Sequence, residues 1–103
     1  MDSSAEIIVP IGTKNKPFKL IVSGTDLSGK SVIGKFERPD GQVINCPATV
    51  DANDSSVINL VLPKEVFEVI GNGWLAALIS DGSYQELTHP PVLFRVEKSV
   101  KLA

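Results

Sequence analysis

Short runs in which apolar and polar residues alternate recur along the chain, each closed by Gly, Pro, Asn or Asp. Turn signals return roughly every 8 to 15 residues, a spacing that suits an antiparallel β-sandwich or barrel. Alternation at period two puts Phe18, Leu20 and Val22 on one face of a strand, with Lys19 and Ile21 on the other. Val32, Gly34 and Phe36 carry an inward face opposite Lys35 and Glu37. Ile58, Leu60 and Leu62 do the same in a later run, and Val92, Phe94 and Val96 in the last one.

The punctuation between these runs has its own chemistry. Residues 6–11 read as a first strand whose end is pushed to a sheet edge by Pro10. Pro39-Asp40-Gly41 is the cleanest turn. Pro fits the first central position of a type I turn, and Gly takes the left-handed position that closes a three-residue hairpin between residues 35–38 and 42–46. Pro47 ends regular pairing, because it lacks the N–H that a ladder requires. Residues 51–56 form a polar loop. Pro63, Glu65 and Gly71 frame one or two helical turns near residues 64–70, with Val66, Phe67 and Ile70 as the buried stripe. This segment reads as a crossover over one end of the fold. Residues 74–79 are apolar on both faces, as in a central strand, and Asp81-Gly82 turns the chain again. The expectation is about seven strands and one short helix.

Composition decides which classes of function remain. The 103 residues make a single domain, and 43% hydrophobic residues are enough for one packed core without disulfides or metals. Ten basic and twelve acidic residues are interspersed, for a net charge of −2. There is no basic stripe, which argues against nucleic acid or an anionic membrane as partner. No stretch approaches the roughly 18 apolar residues of a membrane span. The polar, acidic start of the chain has no export signal, so the expected site of synthesis and folding is the cytoplasm. Residues 1–5 and 99–103 are expected to be flexible or to act as linkers.

Residues 24–31 read Gly-Thr-Asp-Leu-Ser-Gly-Lys-Ser, matching the phosphate-loop pattern G-x-x-x-x-G-K-[ST]. A working phosphate loop delivers the chain into a helix whose N-terminus faces the phosphates. Here Ser31 opens a strand pattern rich in β-branched and aromatic residues, closed by Pro39. The match therefore reads as a solvated hairpin loop, with Asp26, Ser28 and Gly29 as turn formers. His89 is the single histidine and sits in the stiff loop Thr88-His89-Pro90-Pro91, while Cys46 lies within an apolar alternation. No spacing joins them, or Ser83, into a nucleophile and base. Asp51, Asn53 and Asp54 lack the twelve-residue calcium-loop pattern. No catalytic, cofactor or metal residue is assigned. Trp74 and Phe67 are expected in the core. The outward residues Ile21, Ile33 and Leu93, with Lys19 and Lys35 as polar rim, form the candidate protein interface. A different reading, a carbohydrate- or host-surface-binding module, would instead expose Trp74 and Tyr84.

The order of signals resembles the N-terminal domain family of the phage baseplate upper protein. The matching pieces are Asp26-Leu27-Ser28-Gly29-Lys30, Phe36-Glu37-Arg38-Pro39-Asp40-Gly41, Leu60-Val61-Leu62-Pro63-Lys64-Glu65-Val66 and Gly71, followed by the strands at 74–79 and 92–96. The resemblance covers roughly residues 7–98 and implies an immunoglobulin-like β-sandwich without catalytic residues. It further implies a virion structural module that attaches a receptor-binding or fibre assembly to the tail core through other tail or baseplate proteins. A homotrimer is the assembly that the resemblance implies. No trimer-forming helix or receptor-binding region follows Lys98 in this sequence.

Overall fold

The computed structural model describes residues 6–98. Among them are nine strands: β1 (Glu6–Pro10), β2 (Lys16–Ile21), β3 (Ser31–Glu37), β4 (Val43–Cys46), β5 (Ala48–Val50), β6 (Val57–Leu62), β7 (Gly71–Asp81), β8 (Tyr84–Leu87) and β9 (Val92–Glu97). A 3-10 turn, Lys64–Phe67, links β6 to β7. The large sheet runs β1-β9-β7-β3-β4, with β8 also on β7, and the small sheet runs β2-β6-β5. The fold is all-β, with two sheets closing on a shared core. Two of the nine strands, β5 and β8, exceed the seven expected. One pairing also departs from an antiparallel plan, because β1 lies parallel to β9 from Glu6 opposite Leu93 to Pro10 opposite Glu97.

The core follows the alternation. Phe36 and Gly34 on β3, Ile58, Leu60 and Leu62 on β6, and Phe94 and Val96 on β9 are all buried. Phe18 and Leu20 face inward on β2, while Lys19 and Ile21 are exposed. All four phenylalanines form one cluster. Phe94 lies 5.3 Å from Phe18 and 5.7 Å from Phe36, edge to face, and Phe67 lies 6.3 Å from both Phe36 and Phe94. Each buried ring contributes about 1.5–3 kcal/mol from burial alone. Edge-to-face pairs add to this.

The turns carry the chain between sheets. Gly41, at φ 89°, closes the Pro39-Asp40-Gly41 hairpin, and Arg38 N donates to Gln42 O at 2.8 Å. At Pro47 the chain leaves the large sheet and enters the small one as β5, whose pairing with β6 runs from Ala48 to Val50. Residues 24–31 do not make a hairpin. They connect β2 of the small sheet to β3 of the large one, with Leu27 wholly buried at the middle of the loop. An apolar residue at that point anchors a sheet-to-sheet crossing, whereas a hairpin tip would leave it in water. In the 3-10 turn Val66 and Phe67 are buried, but Ile70 is 53% exposed because the turn ends before reaching it.

One glycine marks where packing is tightest. A Cβ on Gly73 would run into the Phe36 ring, which Phe67 and Phe94 hold in place. Gly73→Ala should therefore cost about 1–3 kcal/mol by overpacking. A lowered urea midpoint at unchanged slope is the expected result, and an unchanged midpoint would show that the ring has room to move.

A candidate binding groove on the outer face of the large sheet

The groove originates in the length of β7. Strand β9 pairs with its first half, from Gly71 to Leu75, and β8 pairs with its last part, from Leu78 to Asp81, on the same edge. Between them Thr88, His89, Pro90 and Pro91 stand against only Ala76 and Ala77. The excess chain bulges out of the sheet. Thr88 pins its base: Thr88 N donates to Ala77 O at 2.9 Å, and Ala77 N donates to Thr88 Oγ1 at 2.9 Å. The two prolines that follow have no N–H to offer β7, so pairing resumes only at Val92.

The bulge forms one bank of a groove of about 560 Å³. Outward residues Trp74, Ala76 and Leu78 of β7 make the floor, and Lys35 and Glu37 of β3 with Val43 of β4 make the other bank. The size lies within the usual range for ligand sites. Trp74 is 43% exposed, against the expectation of a core residue. The inward places on β7 go to Gly73, Leu75, Ala77 and Ile79, and period two sends the indole outward. Lys35 Nζ donates to Asn45 Oδ1 at 2.7 Å across β3 and β4. The Glu37 carboxylate has neither hydrogen bond nor ion pair among the described residues.

The five candidate interface residues do not share one surface. Ile33, Leu93 and Lys35 lie on the outer face of the large sheet, where Ile33 stands opposite Leu78 and Leu93 opposite Trp74. Ile21 and Lys19 belong to the small sheet. Ile21 lines a second groove of about 510 Å³, between the end of β2 and the far side of the bulge. Lys19 pairs with Asp51 at 3.7 Å. Outward position is readable from alternation, but which sheet a strand joins is not. Trp74 and the bulge residues were the groove members that alternation alone did not assign. The His-Pro-Pro run, which cannot pair regularly, was the signal for the bulge.

The other residues singled out in the sequence fall in turns, in the core and on exposed rims. Ser31 enters strand β3, so residues 24–31 present no helix N-terminus. Asp26 Oδ1 accepts the N–H of Ser28 at 3.0 Å, an Asx turn. Asp51 and Asp54 likewise accept the N–H groups of Asn53 and Ser56. Cys46 is buried, and desolvation pushes its thiol up to about 11, away from nucleophilic use at neutral pH. His89 is exposed on the groove rim. Tyr84, 60% exposed, donates its hydroxyl to Glu86 at 2.9 Å, which holds the phenol above its ordinary range.

Arg38 ties the β3–β4 hairpin to the crossover beyond the groove. Its guanidinium grips both Asp40 oxygens, at 3.1 and 2.7 Å, and donates to Glu65 O at 3.0 Å. Hydrogen bonding to Arg38 leads the causes that hold the Asp40 carboxyl below its ordinary range. Comparison of the sequence with protein-family models gives no match, and comparison with characterised proteins gives none either.

A depressed carboxyl stabilises the folded state above its unfolded pKa of about 3.9 and loses that contribution as pH falls through the folded value. Native protein should therefore exceed Asp40→Asn in melting temperature at pH 7, with the gap closing below about pH 4. A gap that does not vary with pH would show that the Arg38–Asp40 charge pair contributes nothing to stability.

Proposed function

We propose that this chain is a non-enzymatic, immunoglobulin-like assembly module of a phage tail tip or baseplate, docking on a partner protein through the outer face of its large sheet. The observation that carries this reading is the uncovered apolar surface there. Trp74, Leu78, Leu87, Val43, Ile33 and Leu93 lie on neighbouring strands with few charges among them. Apolar patches of this kind, rimmed by polar side chains, are how proteins meet proteins. The resemblance of its turn signals, in their order, to the baseplate upper protein family supports the virion setting, and the groove between bulge and β4 would give the partner a place to seat. The paired change Ile33→Lys and Leu93→Lys should leave a cooperatively folding protein that no longer enters tail particles. Normal incorporation of the folded double variant would sink this role for the face.

Exposure of Trp74 beside Lys35, Glu37, Thr88 and His89 favours a second reading, a carbohydrate-binding module of a host-attachment device. An indole face stacks on a sugar ring while flanking polar groups bond its hydroxyls. Because Trp74 is the single tryptophan, its emission reports on the groove directly. Titration with cell-wall oligosaccharides should then give a saturable change that Trp74→Ala removes. Emission unaltered up to millimolar sugar would eliminate this reading.

A further inference from the structure

We infer that the groove takes a zwitterion of the phosphocholine type, an amino-alcohol phosphate ester lying along β7 with its cation at the level of Trp74 and its phosphate at the level of Ala76. The inference rests on reading the groove as a host-attachment site, and it names the ligand class. Its basis is the order of charges along the bank. In the β3–β7 register Glu37 stands opposite Trp74, and Lys35 stands opposite Ala76. The two levels are two residues apart, or about 6.5 Å along the sheet. A ligand with a single charge gains at one level and meets repulsion at the next. A ligand with opposite charges at its two ends gains at both.

Each level carries the chemistry for its half. At the Trp74 level an exposed indole neighbours an exposed carboxylate that has no hydrogen bond or ion pair among the described residues. Val43, opposite Glu37 on β4, adds an apolar wall. The face of an indole attracts an alkylammonium through its quadrupole, and the carboxylate supplies the counter-charge. At the Ala76 level both banks offer donors. Lys35 keeps two ammonium hydrogens after bonding Asn45. Thr88 Oγ1 accepts the N–H of Ala77, which leaves its hydroxyl hydrogen for a ligand, and the imidazole of His89 adds a ring N–H. Three donors from two banks suit a phosphate, whose oxygens point in several directions, better than a planar carboxylate. The floor between them is the Ala76 methyl, which leaves room for a tetrahedral group.

Titration of the purified chain with phosphocholine, followed by Trp74 emission and by calorimetry, tests the assignment. Saturable binding is expected, with choline alone and glycerol phosphate alone each weaker by about tenfold or more, because each engages one level. Glu37→Gln should weaken phosphocholine and choline while sparing glycerol phosphate. Lys35→Gln should weaken phosphocholine and glycerol phosphate while sparing choline. Trp74→Ala should abolish phosphocholine binding in the calorimeter. Circular dichroism verifies the fold of each variant, and all three positions are on the sheet surface. No binding up to tens of millimolar, an equal affinity for choline alone, or single changes that do not sort by charge would each overturn the proposal. A response to phosphatidylcholine vesicles without one to the soluble ester would do so as well. Neutral cell-wall oligosaccharides that perturb Trp74 when phosphocholine does not would discard the zwitterion while keeping the host-attachment reading.

Discussion

The contacts around Phe94 hold the architecture together. Phe94 comes from the large sheet, Phe18 from the small one and Phe67 from the crossover turn, and Phe36 joins them from the neighbouring β3. Each separate element could form its own ladder, and this cluster ties the two sheets and the crossover to one another. With all four phenylalanines used inside, the core needs neither Trp74 nor Tyr84, and both are left for the exterior.

Local patterns made much of this legible. Inward faces on β2, β3, β6 and β9 follow directly from period two, and the Pro39-Asp40-Gly41 turn follows from its φ requirements. Pro47 marks the break in pairing, although its larger effect, sending the chain from one sheet to the other, depends on partners that no local window contains. The parallel contact of β1 with β9 joins residues almost a full chain length apart, so no neighbouring turn announces it. Strands β5 and β8 are short, and every residue of β8 is exposed, so alternation had no buried set to reveal. The loop at residues 24–31 looked like a hairpin because both flanking runs are strands. Leu27, the single apolar residue within it, was the clue that it crosses between sheets.

The candidate site was legible in part for a related reason. Sequence alternation separates inside from outside, but a surface is made by strands that are distant in the chain. Ile33 and Leu93 meet the same sheet face because β7 lies between them, whereas Ile21, with the same outward phase, falls on the other sheet. Trp74 was misjudged because a tryptophan opening an apolar run reads as core. The tie was broken by Gly73 and Leu75, which take the inward positions on either side of it.

The Thr88 clasp on Ala77 separates two things that are usually coupled in a sheet. Strand register is secured before the chain leaves the plane, and it is recovered at Val92 after the chain returns. Residues 89–91 can therefore be lengthened, shortened or exchanged without propagating a slip into β7. The groove's wall is a replaceable insert on a frame of fixed register, so the shape of the groove can change while the Phe94 cluster beneath stays unchanged.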